Sequence, residues 1–223
     1  MASMGKTKLL QQELVHDPRY RDSFKGVTIY GVAGTNGSGK DSLMDMLVEH
    51  HNFFLFNTSN SLRQVAQAVF QSTQRGGNGT PMGRIGNAER TAYPGGMVEL
   101  GLLDWWVRVG HLPADLQPKG LVIGSIRGTG EAKRLQEFGG KLIVVGADPK
   151  VRYKRIFGRG RADDKQLTFE DFIKREAAEM AVGETEPTRF GMAAVIDMAD
   201  IRIENNNNDM EAFRVQVEKT LAL

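Results

Sequence analysis

A stretch of nine residues combines glycines, a lysine and hydroxyl groups at a spacing that suits chemistry on phosphate groups. It reads GTNGSGKDS, and we call it the glycine-rich loop. Its first seven residues match the Walker A pattern G-x-x-x-x-G-K. Glycines let backbone N–H groups curl around phosphate oxygens without side-chain clashes, and the lysine adds a mobile cation. We therefore expect ATP to contact Gly34, Thr35, Asn36, Gly37, Ser38, Gly39, Lys40, Asp41 and Ser42.

The residue after the lysine departs from the simplest form of this pattern, in which Ser or Thr would hold magnesium. Asp41 stands at that position, and Ser42 follows it. Both side chains offer the oxygen ligands that Mg²⁺ prefers, and Asp41 also suits the positive end of a helix. Both residues are therefore candidates for holding the metal, and the sequence leaves open which of them does so.

The elements expected on either side of the loop decide whether the match arises by chance. Residues 27–32 (VTIYGV) form a β-branched and aromatic run that is typical of a buried strand. Residues 40–50 carry apolar side chains at helical spacing. A strand, a loop and a helix in this order direct backbone N–H groups and the positive helix end at a phosphate. This context favours a functional phosphate loop over a chance match.

Strands and helices alternate along the rest of the chain. Further strands are expected at 53–56, 121–123, 141–147 and 201–203. Further helices are expected at 59–70, 84–91, 96–110, 130–138, 149–157, 168–182 and 209–221. Loops are expected at 71–84, 158–167 and 183–190. The alternation predicts an α/β sandwich with a mostly parallel sheet, in residues 26–223, after an N-terminal extension of residues 1–25.

Length and composition fit an ordinary globular domain. The chain has 223 residues and a formal net charge of +2, which does not predict a nucleic-acid partner. It contains no cysteine, which excludes disulfides and thiolate zinc sites. We find no apolar run long enough for a signal peptide or a membrane span. The composition predicts a cytoplasmic protein without a nucleic-acid or membrane partner. We expect a monomer or homodimer, and the glycine-rich loop makes a small-molecule nucleotide its expected partner.

Arginines near the expected strand ends are candidates for binding a second phosphate group. Phosphoryl transfer depends on well-placed cations more than on covalent catalysis. Arg63 lies one turn into the helix after the second strand, and Arg127 follows the third strand. Either guanidinium could bind an acceptor phosphate through two parallel hydrogen bonds. The alternative for Arg63 is an exposed helical arginine without a role.

A second basic cluster lies beside the glycine-flanked loop at 158–167. Arg155, Arg159 and Arg161 are candidates for a lid that closes over phosphates. Arg152 and Lys154 are interpreted as part of a solvated helix face. Carboxylates nearby, such as Glu176 and Glu179, could serve as a base, although such residues more often pair with arginines.

Four segments resemble a P-loop kinase of the nucleoside monophosphate kinase superfamily. They are GTNGSGKDS at 34–42, SNSLRQVA at 59–66, VIGSIRGTGEAKRL at 122–135 and RIFGRGRADDKQLTFEDFIKREAAEM at 155–180. Residues 199–213 also resemble the family's last strand, turn and C-terminal helix. The resemblance is nearest to the dephospho-coenzyme A kinase-like and phage-type deoxynucleoside monophosphate kinase branches, and it spans about residues 27–221.

This resemblance implies a three-layer sandwich with a five-stranded parallel sheet of order 2-3-1-4-5. It also implies an acceptor-binding lobe at about 58–110, a lid at about 158–167 and Mg²⁺-ATP as the phosphoryl donor. The site residues that it implies are Arg63 on the acceptor phosphate, Arg127 in the acceptor crevice, Arg159 and Arg161 on the lid, and Asn205 beside the adenine. Where relatives often carry an aspartate after the third strand, this chain has Gly124 and Ser125.

Taken together, the residues favour an ATP-dependent phosphotransferase with Lys40, Arg127, Arg159 and Arg161 as catalytic cations. Its acceptor would be a nucleoside or deoxynucleoside monophosphate, or the ribose hydroxyl of dephospho-coenzyme A. The missing aspartate favours a phosphate acceptor, because a hydroxyl acceptor needs more help from a general base. The alternative is a P-loop ATPase or regulator without a small-molecule acceptor, which would usually carry an acidic residue at a strand end.

Overall fold

A five-stranded parallel sheet forms the centre of the protein. The structure, a computed structural model, describes residues 18–74, 80–159, 167–181 and 191–223. The strands are β1 (Thr28–Ala33), β2 (Phe53–Asn57), β3 (Gly120–Gly124), β4 (Lys141–Gly146) and β5 (Ile201–Glu204). They pair in parallel in the order β2-β3-β1-β4-β5. The expected α/β class and the 2-3-1-4-5 order are therefore confirmed.

Helices cover both faces of this sheet. They are α1 (Pro18–Asp22), α2 (Lys40–His51), α3 (Thr58–Phe70), α4 (Pro81–Ala92), α5 (Gly96–Arg108), α6 (Thr129–Glu137), α7 (Pro149–Gly158), α8 (Phe169–Ala181), α9 (Met192–Asp197) and α10 (Met210–Leu221). In the described residues, no helix is both long enough and apolar enough to cross a membrane.

Two helix assignments from the sequence were wrong. Helix α4 begins at Pro81, within the segment that was expected to be a loop as far as residue 84. Proline fits the first turn of a helix, and the Thr80 hydroxyl accepts the Gly83 N–H at 3.3 Å, so this segment contains its own start signal. Helix α9 was not predicted at all, because its six residues are too few to reveal a helical period.

The side chains of β1 alternate between two cores, one on each face of the sheet. Ile29 and Ala33 join the core formed with α5, α6 and α9, whereas Tyr30 and Val32 join the core formed with α2 and α10. Because β1 is the central strand and is buried on both faces, the loop that follows it leaves the sheet at a fixed place.

The segment before β1 packs onto the first of these cores. The Tyr20 ring is fully buried, and its hydroxyl donates to Glu99 Oε1 at 2.5 Å. Burial raises the pKa of Tyr20, and the hydrogen bond and negative charge of Glu99 raise it further. Arg134 holds the other Glu99 oxygen, with Nε 2.7 Å from Oε2. Residues 1–17 of the expected extension lie outside the described residues.

Two smaller apolar clusters lie beside the main cores. The first joins α3, α4 and α5 within the expected acceptor lobe, through Leu62, Ala66, Met82 and Met97. The second joins α7 to α8 at the base of the expected lid, through Ile156, Leu167 and Phe172. Most of that lid, residues 160–166, lies outside the described residues.

Candidate functional site

The glycine-rich loop passes so close to neighbouring backbone that two of its positions require glycine. Gly34 and Gly37 have φ values of +149° and +81°, in the region that favours glycine. A Cβ at Gly37 would lie 2.7 Å from the carbonyl oxygen of Arg152, and one at Gly34 would lie 2.5 Å from that of Val145. The loop is therefore packed against β4 and α7, which fixes the direction of its N–H groups.

Two side chains from distant segments of the chain donate hydrogen bonds to the main chain of the glycine-rich loop. Asn205 is buried, and its Nδ2 donates to the carbonyl oxygen of Ser38 at 2.9 Å. Arg155 donates to the carbonyl oxygens of Gly37 and Ser38 at 3.2 and 3.4 Å, and to that of Asn207 at 2.5 Å. Arg155 and Asn205 thus connect the loop to the turn after β5, where the family resemblance implies the adenine.

Lys40 is the centre of positive charge in the site. Its side chain is buried within the first turn of α2. Burial lowers the pKa of Lys40 to about 8; Asp41 and Glu179 act against this shift, whereas Arg127 and Arg159 add to it. The charges of Arg127 and Arg159 are therefore close enough to affect the lysine. Three of the four expected catalytic cations are brought together, and the fourth, Arg161, lies outside the described residues.

The two metal candidates differ in their surroundings. Asp41 is exposed in the first turn of α2, whereas the partly buried Ser42 lines a groove between α2 and α10 with Asp45 and Met210. Among the described residues, His, Asp and Glu side chains form no group of three that could enclose a metal ion. One or two protein oxygens are enough for Mg²⁺ when phosphates and water complete its coordination. Asp41 and Ser42 fit that requirement.

The end of β3 presents hydroxyl groups at the place where the family resemblance led us to expect a carboxylate. Ser125 is buried with φ +66°, and its Oγ lies 3.2 Å from Ser59 Oγ. The Thr58 hydroxyl donates to the carbonyl oxygen of Gly124 at 2.8 Å. A side chain at Gly124 would overlap the sulfur of Met44, so an aspartate fits there only if that methionine moves.

Arg63 lies in the second turn of α3, on the side of this crevice where the sequence analysis expects the acceptor. It is partly buried, and its Nη1 donates to Asn60 Oδ1 at 2.8 Å, within the same helix. This contact places the guanidinium beside the helix start that carries Ser59. The expected phosphate contact of Arg63 stays a prediction.

The interpretation of Arg152 as a solvated residue was wrong. Arg152 is 5% exposed, and its Nε donates to the carbonyl oxygen of Ala147 at 2.7 Å. Its guanidinium also forms an ion pair with Glu176 on α8, with Nη2 2.8 Å from Oε2. The backbone of Arg152 therefore lies against Gly37, and its side chain joins α7 to α8. Lys154, its neighbour in the interpretation, is exposed as expected.

The sequence analysis overlooked Glu131, which fixes the loop that carries Arg127. Glu131 is fully buried, and its Oε2 accepts the backbone N–H groups of Arg127 and Gly128 at 2.7 and 3.1 Å. A glutamate three residues after a helix N-cap is a known capping signal, and this signal is present from Gly128 to Glu131. The capping signal could have predicted that Glu131 accepts these backbone N–H groups. It could not have shown that the contact lies beside the candidate site.

Comparison with known proteins finds similar sequences and similar folds. No protein-family model matches the chain. The chain is 28% identical over 206 residues to a UPF0200 protein of Pyrobaculum aerophilum, which covers 87% of this chain and 97% of that protein. Identity to a UPF0200 protein of Thermococcus kodakarensis is 37% over 78 residues, which cover 35% of this chain and 37% of that protein.

Among solved structures, shikimate kinase from Acinetobacter baumannii in complex with shikimate aligns with a TM-score of 0.51. The alignment covers 90% of this chain and 94% of that one, at 11% sequence identity. The chain has the P-loop kinase fold. An identity this low shows the fold alone, so the narrower resemblance to the nucleoside monophosphate and dephospho-coenzyme A kinase branches stays a prediction.

Proposed function

We propose that this protein is an ATP-dependent small-molecule kinase. The observation that carries the proposal is that Arg127 and Arg159, from two other segments, both contribute positive charge at Lys40 in the glycine-rich loop. Asp41 and Glu179 also place negative charge near Lys40. The positive groups of the site would attract further anions, and a triphosphate facing a second anionic group fits that requirement.

The donor half of the proposed site is the glycine-rich loop with Lys40. Backbone N–H groups of the loop and the start of α2 would bind the β- and γ-phosphates of ATP, and Lys40 would neutralise charge as the γ-phosphoryl group moves. Asp41 or Ser42 would hold Mg²⁺, which when bound neutralises phosphate charge. Arg159 would add charge from the lid side, together with Arg161.

The acceptor half would lie between the start of α3 and the end of β3. Arg63 and Arg127 would orient the acceptor, so that its attacking oxygen faces the γ-phosphorus. The hydroxyls of Ser59 at the start of α3 and Ser125 after β3 meet here, and the nearby Glu131 carboxylate is engaged by backbone N–H groups. An acceptor that is already a phosphate anion needs little general-base help. This arrangement favours a nucleoside or deoxynucleoside monophosphate over the ribose hydroxyl of dephospho-coenzyme A.

The competing function is that of an ATPase or regulator without a small-molecule acceptor. It shares the donor half, so the glycine-rich loop does not discriminate between the two functions. The discriminating feature is Arg127, which belongs to the end of β3 and yet contributes charge at Lys40. If a second anion binds on that side, Arg127 is in place to orient it.

A coupled assay of ADP release tests the proposal. The purified protein is given Mg²⁺-ATP with each of a panel of nucleoside monophosphates, deoxynucleoside monophosphates, dephospho-coenzyme A and shikimate. We expect at least one monophosphate to raise ADP release about ten-fold or more, in line with the value of a positioned acceptor. Lys40→Ala should abolish that release, whereas the exposed Lys154→Ala should retain it. If no acceptor stimulates ADP release, the competing function replaces this one.

A further inference from the structure

A buried ion pair connects the acceptor lobe to the loop that carries Arg127. Arg90 on α4 is 1% exposed, Glu131 on α6 is 0% exposed, and Arg90 Nε lies 2.9 Å from Glu131 Oε1. The N–H is not aligned on that oxygen as a good hydrogen bond requires, so the attraction between them is mainly between opposite charges. Arg90 Nη1 also donates to the carbonyl oxygen of Gly86 at 3.1 Å, which fixes the guanidinium to its own helix.

The carboxylate of Glu131 therefore acts in two directions at once. One oxygen faces Arg90, and the other accepts the N–H groups of Arg127 and Gly128 at 2.7 and 3.1 Å. Removing one partner of a buried charged group leaves its remaining contacts to hold it alone. Arg90 therefore helps to fix the place from which Glu131 accepts both backbone N–H groups.

We propose that Arg90 is a positioning residue: its ion pair holds the Glu131 carboxylate at the place from which it accepts the backbone N–H groups that fix Arg127 in the acceptor crevice. Its catalytic consequence rests on the proposed kinase function, but its structural consequence does not. Arg90 belongs to α4, and α4 packs on α3, the helix of Arg63. The position of the acceptor lobe is thereby linked to the position of Arg127.

The chain contains a matched control for this proposal. Arg134 is also on α6, and it forms a similarly buried pair with Glu99, in which Nη2 lies 2.6 Å from Oε2. Glu99 holds the Tyr20 hydroxyl instead of a site loop. Arg134→Met therefore breaks a buried ion pair at the same helix, without removing the partner of the carboxylate that holds Arg127.

Hydrogen exchange at the two capped amides tests the structural part without any activity. In Arg90→Met, we expect the amides of Arg127 and Gly128 to exchange at least about ten-fold faster than in the unaltered protein, since the ion pair no longer holds their acceptor in place. Arg134→Met should leave them within about three-fold of the unaltered rates. Arg90→Lys, which keeps the charge and loses the guanidinium fork, should lie between the unaltered protein and Arg90→Met. If Arg90→Met does not fold, the lysine variant decides.

Unchanged exchange at both amides, in whichever variant at position 90 is folded, would overturn the proposal. Kinetics with the best acceptor of the panel then test the catalytic part. We expect kcat/KM for the acceptor to fall about ten-fold in the position-90 variants, with KM for ATP unchanged and with Arg134→Met close to the unaltered protein. Faster exchange with unaltered acceptor kinetics would refute the positioning role. If the unaltered protein uses no acceptor, the kinase proposal fails, and exchange alone decides this one.

Discussion

The two halves of the candidate site are built in different ways. In the donor half, Arg155 and Asn205 donate to backbone carbonyl oxygens of the glycine-rich loop, and Lys40 is buried against the same segment. In the acceptor half, Arg63 contacts Asn60 one turn away, and the Ser59 and Ser125 hydroxyls meet at 3.2 Å. In these contacts, the donor-half side chains bind main-chain oxygens, whereas the acceptor-half side chains contact one another.

This difference reflects what each half has to recognise. A triphosphate presents the same oxygens in every nucleotide, so a rigid array of main-chain N–H groups can bind it. An acceptor is distinguished by its shape and its own polar groups, which side chains can match and evolution can exchange. Breaking the donor half should therefore affect folding and ATP binding together, whereas breaking the acceptor half should affect the acceptor alone.

The largest effect is expected at the end of the glycine-rich loop. Gly39 has φ +101°, and a Cβ there would overlap the amide nitrogen of Asn205. Gly39→Ala should abolish measurable ATP binding and lower the free energy of unfolding by about 2–4 kcal/mol, through backbone strain and the displaced asparagine. Urea unfolding and calorimetric titration with ATP measure the two effects.

Gly139→Ala is the control for that substitution. Gly139 also has a positive φ, of +73°, but nothing lies within 4 Å of its added Cβ. Its cost should be limited to about 1–2 kcal/mol of backbone strain, with ATP affinity unchanged. Equal losses of ATP affinity in the two variants would contradict the close contact of Gly39 with Asn205.

A smaller and more selective effect is expected in the acceptor half. Arg63→Ala should raise KM for the acceptor about ten- to a hundred-fold by removing hydrogen bonds to a charged group, with KM for ATP unchanged. The control is Arg84→Ala in the same lobe, where the guanidinium lies 5.0 Å from the centre of the Phe70 ring. Steady-state kinetics with both substrates varied separate these outcomes, and a rise in KM for ATP would count against the division into halves.

The pH dependence of ATP affinity tests the role of Lys40 in the donor half. The pKa of Lys40 is lowered to about 8, chiefly by burial, so the free protein loses this charge above that pH. Phosphate favours the charged lysine, so binding takes up a proton at higher pH. The Kd for ATP should rise about ten-fold between about pH 7 and about pH 9, by proton linkage. Lys40→Arg keeps its charge, and its weaker binding should not vary over this range.

The smallest of these effects is expected at the connection between the loop and the turn after β5. Arg155→Lys keeps the charge but cannot reach Gly37, Ser38 and Asn207 together. ATP affinity should fall about five-fold, the value of one lost hydrogen bond. Arg214→Lys is the control, because Arg214 pairs with Glu211 and Glu218 along its own helix. Equal affinities in the two variants would argue against this connection.

The sequence predicted the elements around the glycine-rich loop better than those around α4, because the pattern of the loop is continuous in the chain. The glycine-rich loop is one continuous segment between a strand and a helix, so its pattern carries its own context. The five strands were recognised because buried parallel strands are continuous apolar runs. Helix α9 is too short to show a period, and helix α4 was missed at its start because its first turn contains proline and glycine.

The residues that the sequence did not reveal are those with distant partners. Arg152 looked like an exposed helical arginine, since nothing beside it in the chain indicates Glu176 on α8. Arg90 gave no signal, because its partner Glu131 lies beyond another helix and a strand. Which arginines are buried depends on tertiary packing, and burial is what separates a structural ion pair from a solvated charge.

The fate of the γ-phosphoryl group tests the central claim most directly. The protein is incubated with γ-labelled Mg²⁺-ATP and the acceptor panel, and the labelled products are separated and identified by mass. A kinase built as described transfers the label to a nucleoside or deoxynucleoside monophosphate, and Arg63→Ala reduces that product while ATP still binds. Label released only as inorganic phosphate, at the same rate with and without every acceptor, would contradict the account.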